Sequence, residues 1–324
     1  MLRTIIIILA GQYRSGTAEK LKALLPEGFG ELIPVNKEED YRKITDADIL
    51  VLRVFKADRS WIEQNKNLKL ILRWGVGYDT VDLTAAGERG IYVTNTPGAN
   101  SDAVSELTIM HMLAAGRKFL CYTENIHAGN RKPNVYENQA FCLYGKMIGI
   151  IGCGNIGRRV ARKVRVFGAE TQYYDVIRLP EETEKELGIR FVSLEELLKT
   201  SDIVTLHCPL FEDNYHMIGA EQIAMMKDGA LLINCARGGL VDDDALLKAV
   251  ESGKLVGAGM DVPETVPLPL DSPLLKNPHI TITPHIGGSS SDVADNIIPI
   301  LASDITLFLK GDRPVNVVNA EYLK

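Results

Sequence analysis

The sequence predicts an α/β protein built on parallel sheets, and three observations carry that prediction. Short runs of β-branched and aliphatic residues recur along the 324-residue chain. They are nearly continuous in apolar residues, as strands buried on both faces must be. Amphipathic helical patterns separate them, and such alternation means parallel sheets with helices on both faces.

In order, the strand-like runs before residue 100 are TIIIILA (4–10), ADILVLR (47–53), LKLILRWG (68–75) and GIYVTNTP (90–97). After it come KMIGIIG (146–152), ETQYYD (170–175), DIVTLHCP (202–209), ALLINCA (230–236), LVGAGMDV (255–262) and ITITPH (280–285). The first run is far too short to span a bilayer and lacks a signal-peptide cleavage site, so it reads as a buried strand. Among the helical stretches, SLEELLKT (193–200) opens with a Ser-x-x-Glu capping box. DDDALLKAVESG (242–253) has acids at its start and glycine at its end. TPGANS (96–101) and GGSSS (287–291) are loop-like in composition. With both as crossings, residues 1–100 and 289–324 form one domain and residues 101–288 a second, inserted domain.

Composition narrows the function. The chain is 46% apolar and 24% charged, as soluble globular proteins are, and its net charge is −6 without a block of Lys or Arg. That argues against nucleic acid and against an anionic membrane as partners. Five cysteines (Cys121, Cys142, Cys153, Cys208, Cys235) are odd in number and scattered, which suits neither a disulfide framework nor a zinc site. They predict a reducing compartment, hence a cytoplasmic protein, with no metal.

The segment GIIGCGNIG (149–157) places Gly152, Gly154 and Gly157 between a strand and a helix. The first glycine permits a tight turn, the second lets backbone approach a pyrophosphate, and the third lets helix and strand pack closely. The helix N terminus, with Asn155 and Ile156, would hold the phosphates. Asp175, about twenty residues on at the next strand end, can accept both ribose hydroxyls and would repel a 2′-phosphate. The reading is a Rossmann domain for NAD in preference to NADP, with Arg178 taken as a surface charge. Other strand ends bring HCPL (207–210), NCARGGLVD (234–242) and TPHIGG (283–288) to the edge where open α/β sheets bind ligands. Arg237 there could grip a carboxylate through two parallel bonds. His285 could donate or accept a proton near neutral pH.

Together with RWGVGYDTVDL (73–83), NTPGANSDAVSELT (95–108), GAGMDV and GDRPVNVVN (311–319), these motifs resemble the D-isomer-specific 2-hydroxyacid dehydrogenases. The resemblance covers nearly the whole chain and is strongest to the phosphoglycerate dehydrogenase branch. It implies an NAD domain inserted in a flavodoxin-like substrate domain, a homodimer, and hydride exchange between a 2-hydroxy or 2-oxo acid and nicotinamide. It also implies Arg237 and His285 as catalytic residues, and Gly75, Val76 and Gly77 as the loop whose amides hold the substrate carboxylate. His207, Cys208, Pro209, Cys235, Ala236, Asp261 and Gly288 fall where the family contacts NAD, as do Arg237 and His285. Arg53 and Arg73 fall where phosphoglycerate dehydrogenases carry basic residues near the substrate phosphate, so 3-phosphoglycerate or 3-phosphohydroxypyruvate is the substrate the resemblance favours. With the sequence ending at Lys324, feedback through the C-terminal regulatory extension of many such enzymes is not expected.

One family position departs. The Glu that orients the histidine is expected five residues after Asp261, and that residue is Val266. Glu264 lies two positions early; in extended chain it shares a face with position 266, displaced by roughly 6.5–7 Å. It is the candidate substitute, although Pro263 and Pro267 restrict the loop. Without a carboxylate neighbour, protonated His285 is less stabilised. The departure also keeps open an NAD-binding regulator or scaffold with little turnover. Finally, Cys153, Cys208 and Cys235 all fall in loops assigned to the NAD cleft. They read as small apolar residues, the sharper alternative being oxidative inactivation.

Overall fold

The computed structural model describes residues 3–323 and divides into two compact units, residues 1–100 with 290–324, and residues 101–289. The first unit carries β1 (Ile6–Ala10), β2 (Glu31–Val35), β3 (Ile49–Leu52), β4 (Leu70–Arg73) and β5 (Tyr92–Thr94). They form one parallel sheet in the order β2-β1-β3-β4-β5, the flavodoxin-like order. β3 and β4 are buried along their whole length, which accounts for their unbroken apolar runs. Their side chains join Tyr41, Trp61 and Ile62 in one core. The chain returns to this unit through the helix Val293–Leu309, which packs on the helix Thr17–Leu24.

The second unit carries β6 (Met147–Ile151), β7 (Glu170–Tyr174), β8 (Ile189–Phe191), β9 (Ile203–Leu206), β10 (Ala230–Asn234), β11 (Leu255–Met260) and β12 (Ile280–Ile282). All are parallel, in the order β12-β11-β10-β9-β6-β7-β8. The order reverses between β6 and β9, so this is the doubly wound Rossmann arrangement with its switch point at those two strands. Two cores lie on its faces. One joins Leu197, Leu232, Leu246 and Ile218; the other joins the helices Ser101–Gly116 and Asn155–Val166 to Ile148, Ile150 and Ile233.

The helix starts follow the sequence. Ser193 accepts the Glu196 amide at 3.1 Å and Asp242 the Ala245 amide at 3.0 Å, as caps should. Two strands had no sequence signal. β2 is a partly exposed edge strand interrupted by Pro34, and β8 is a three-residue edge strand with exposed Arg190. Edges bury one side, so the continuous apolar run that betrays a central strand is absent from them.

Candidate active site

At the switch point the glycine loop is built by steric necessity. Gly152 sits at φ +88°, and a Cβ on it would lie 2.6 Å from the Cys208 amide nitrogen. The loops after β6 and β9 therefore touch backbone to backbone, which no other residue permits. A Cβ on Gly157 would come within 2.3 Å of the Gly152 carbonyl oxygen. Gly154 differs: nothing lies within 4 Å of its Cβ position, so its outer face is open. Unlike the helices begun by Ser193 and Asp242, the helix Asn155–Val166 has no side chain capping it at Gly154. Its first amides are left for a ligand, and the helix dipole favours an anion there.

Asp175 follows β7 and is fixed against this loop. Its Oδ2 accepts the Cys153 amide at 2.7 Å and its Oδ1 the Ile177 amide at 3.3 Å. Each oxygen keeps a lone pair for a ribose hydroxyl. Arg178 is held back by Glu184 through Nε and Nη2, both at 2.9 Å, and Glu184 also accepts the Tyr173 hydroxyl at 2.7 Å. Arg178 and Tyr173 hold the Glu184 carboxyl down at about 2, so this pair stays charged. His207, next to Cys208 and Pro209, has a buried Nδ1 with no partner among the described residues. An uncapped helix start, an open Gly154, a fixed ribose acceptor and an orphaned ring nitrogen together fit a dinucleotide.

The three cysteines of these loops are thiols with little reactivity. Burial pushes Cys153 and Cys235 up to about 12 and Cys208 to about 11. They behave as small apolar residues, and the geometry offers the oxidation reading no support.

Further along the same sheet edge lie the ends of β10, β11 and β12. Asn234, buried at the end of β10, ties the following turn: its Oδ1 accepts the Ala236 amide at 3.0 Å and its Nδ2 donates to the Arg237 carbonyl at 2.8 Å. Arg237 Nη1 donates to the Ala236 carbonyl at 2.7 Å, which folds the guanidinium back over its own turn. Asp261, after β11, is 1% exposed. It accepts the Thr283 hydroxyl at 2.6 Å, the Ile286 amide at 2.8 Å and the Gly287 amide at 2.8 Å. Its main-chain carbonyl accepts the His285 amide at 2.9 Å. His285 has φ +55°, a left-handed conformation that is costly outside glycine and persists where the surroundings over-determine it. Asp261 supplies that determination, and its carboxylate is enclosed by the 283–287 loop.

Sequence reasoning missed His111, which stands behind this loop. It is fully buried on the helix Ser101–Gly116, with Nδ1 2.8 Å from Thr281 Oγ1 and Nε2 3.0 Å from Thr283 Oγ1. Thr283 gives its hydroxyl proton to Asp261, so His111 Nε2 carries hydrogen and donates to Thr283. Burial lowers His111 to about 4, so it stays neutral at pH 7. A lone histidine in the otherwise apolar stretch 109–115 of this helix was the available signal.

Glu264 is placed elsewhere than at the role considered for it. Its Oε1 accepts the Tyr215 hydroxyl and pairs with His216 Nε2 at 3.0 Å. Its amide donates to Asp243 Oδ2 at 3.0 Å. The segment is also pinned by packing, because a Cβ on Gly238 would sit 2.2 Å from the Pro263 carbonyl oxygen. The residue aligned with the missing acid, Val266, is exposed. Glu264, Asp242, Asp243, Asp244 and Asp271 line a cavity of about 570 Å³ whose negative charge suits neither a phosphate nor a carboxylate ligand.

Asp243 yields a testable pH dependence. Its Oδ1 is buried without a donor among the described residues. Burial, then the nearby charges of Glu264, Asp242 and Asp244, push its carboxyl from 3.8 up to about 6. The folded value exceeds the unfolded one, so its contribution is full below pH 4 and lost as pH rises through about 6. Asp243→Asn should therefore stabilise the protein by about 1–2 kcal/mol at pH 7.5 and leave it unchanged at pH 4. Thermal melts at the two pH values check this; an equal gain at both would refute the charge argument.

In the first unit, Arg53 follows β3. Its Nη1 donates to the Gln12 carbonyl at 2.6 Å, and its guanidinium carbon lies 5.9 Å from the centre of the Tyr13 ring. Tyr13 in turn meets Trp74 edge to face at 4.9 Å. Arg73 is buried at the end of β4, with part of its guanidinium bonded to main-chain carbonyls. Its Nε donates to the Gly77 carbonyl at 2.9 Å, and its Nη1 to the carbonyls of Leu52 and Arg53 at 2.8 and 3.1 Å. Gly75 sits at φ +128°, a value open only to glycine.

Fold and loops define a dinucleotide-dependent oxidoreductase. A family model described as "D-isomer specific 2-hydroxyacid dehydrogenase, NAD binding domain" matches residues 109–287. The chain is 39% identical over 294 residues to a glyoxylate reductase of Korarchaeum cryptofilum, covering 90% of this chain and 88% of that protein. It is 42% identical over 287 residues to a D-3-phosphoglycerate dehydrogenase of Methanocaldococcus jannaschii, covering 88% of this chain and 54% of that one. The crystal structure of a glyoxylate reductase from Paecilomyes thermophila matches it with TM-score 0.85 and 30% identity over 98% of this chain and 99% of that. The chain belongs to the D-isomer-specific 2-hydroxyacid dehydrogenase family and is an NAD-dependent oxidoreductase. Among the described residues, no helix is long and apolar enough to cross a membrane.

Proposed function

We propose that the protein reduces small 2-oxo acids to D-2-hydroxy acids with NADH, and that it accepts substrates with an anionic group at C3, 3-phosphohydroxypyruvate among them. The observation that carries the reading is the placement of Arg237 and His285 three residues beyond the ends of β10 and β12, on the sheet edge that bears the glycine loop. Gly152, Gly154, Asn155, Ile156 and Gly157 would hold the pyrophosphate and Asp175 the adenosine ribose. His207, Cys208, Pro209, Cys235, Ala236, Asp261 and Gly288 would line the remainder of the cofactor. When bound, NADH supplies a hydride from its nicotinamide ring.

His285 gives a proton to the C2 oxygen during reduction and takes it back during oxidation. Arg237 neutralises the substrate carboxylate and draws electron density toward the C2 oxygen, where charge develops. In the other unit, the amides after Gly75 suit the carboxylate and Arg53 suits an anionic C3 substituent. Arg53 keeps unpaired N–H groups among the described residues while Gln12 and Tyr13 fix its direction. Five free cysteines fit a cytoplasmic site of action, and the exposed Phe119 and Ile126 on one helix fit a homodimer.

The test is NADH oxidation with glyoxylate, hydroxypyruvate, pyruvate and 3-phosphohydroxypyruvate from pH 5 to 9. Turnover on none of them, with NADH still bound, would refute the reading. Val266→Glu restores an acid at the family's position. A carboxylate near His285 favours the imidazolium, so the fall of reduction with rising pH should move upward by about one unit. An unchanged profile would show that position 266 does not govern the histidine.

A further inference from the structure

The geometry points to Arg73, Asn95 and Thr96 as positioning residues that aim the carboxylate-binding amides, with Arg73 acting as a clamp on that loop and not as a phosphate ligand. The inference rests on the proposed role of the Gly75–Gly77 loop and assigns the parts that give it its shape.

Three successive carbonyls of the loop are each held by a donor of the same unit. The Gly75 carbonyl accepts the Thr96 amide at 3.0 Å. The Val76 carbonyl accepts Asn95 Nδ2 at 2.7 Å. The Gly77 carbonyl accepts Arg73 Nε at 2.9 Å. In a planar trans peptide the C=O of one residue and the N–H of the next point in opposite directions. Drawing these three oxygens inward therefore turns the N–H groups of Val76, Gly77 and Tyr78 outward. None of those three amides meets an acceptor among the described residues. Three adjacent outward amides form a concavity for an anion.

The donors themselves are fixed. Arg73, Asn95 and Thr96 are all buried, and the Thr96 hydroxyl also accepts the Gly75 amide at 3.0 Å. Arg73 is anchored at its Nη1 by the carbonyls of Leu52, the last residue of β3, and of Arg53, which follows it. Its planar fork spans two strand ends and the loop at once, a geometry lysine cannot reproduce. Selection of the C3 substituent then falls to Arg53, and Arg73 serves every 2-oxo acid alike.

The experiment compares wild type, Arg73→Met and Asn95→Ser. The readouts are KM for glyoxylate, hydroxypyruvate and 3-phosphohydroxypyruvate, the calorimetric Kd for oxamate in the presence of NADH, and the Kd for NADH alone. Losing one aiming bond should raise all three KM values by the same factor, roughly tenfold, and weaken oxamate in parallel. NADH affinity should not change. A rise confined to 3-phosphohydroxypyruvate in Arg73→Met would overturn the clamp and restore Arg73 as a phosphate ligand. Unchanged KM and oxamate affinity in both variants would show that the loop holds its shape unaided, and would overturn it also. If Arg73→Met does not fold, Asn95→Ser decides alone, because it keeps a small polar side chain and removes only the reach to Val76. Oxamate binding needs no turnover, so an inactive wild type would refute the proposed function while the aiming argument was still judged.

Discussion

Replacing His285 by asparagine should lower kcat for 2-oxo acid reduction by about 10²–10⁴-fold and change NADH affinity far less. The choice of asparagine follows from the backbone. His285 sits at φ +55°, which asparagine tolerates better than alanine or a branched residue. The amide of residue 285 keeps its bond to the Asp261 carbonyl, and the Ile286 and Gly287 amides keep theirs to the Asp261 carboxylate. The variant thus removes a titrating group and preserves the loop that carries it. Steady-state kinetics with a fluorescence titration of NADH gives both quantities. A loss of less than tenfold would remove His285 from proton transfer.

The second large effect concerns cofactor choice. Asp175→Ser should weaken NADH by roughly 10–100-fold, because charge-assisted hydrogen bonds to the ribose are lost. It should gain little for NADPH, since Glu184 holds Arg178 through two bonds of 2.9 Å each. Adding Glu184→Gln removes the charge that secures Arg178 while keeping an acceptor for the Tyr173 hydroxyl. The freed guanidinium, three residues from position 175, can then serve a 2′-phosphate. The double variant is expected to bind NADPH about tenfold more tightly than Asp175→Ser alone. Direct titration of both nucleotides checks this, and equal NADPH affinity in the two variants would dissolve the role given to Glu184.

Central strands and the glycine fingerprint were legible because their chemistry is local. A strand buried on both faces must be apolar throughout, and Gly152 must be glycine because its Cβ would strike the next loop. The edge strands β2 and β8 carry no such obligation and left no signal. Individual side chains were harder to read. Arg73 was recognised by type and position, yet its bonds go to carbonyls of residues 52, 53 and 77, which only the folded sheet brings together. Glu264 was read from alternation along an extended loop, while Tyr215 and His216, nearly fifty residues earlier in the chain, decide where its carboxylate goes. His111 escaped notice because its partners, Thr281 and Thr283, lie about 170 residues away. In each case the missing information is long-range and polar, whereas sequence patterns report short-range periodicity.

The chain from His111 through Thr283 to Asp261 also bears on the entropy of the reaction. A proton donor on an ordinary surface loop must be gathered from many orientations before each turnover, and that ordering adds to the barrier. Here the His285 segment is joined to a buried carboxylate by two amides and a hydroxyl, with a neutral imidazole behind it. Its backbone is ordered once, during folding, at the expense of one left-handed residue. The histidine proposed as proton donor would then be mounted on a loop tied at three points to one buried carboxylate.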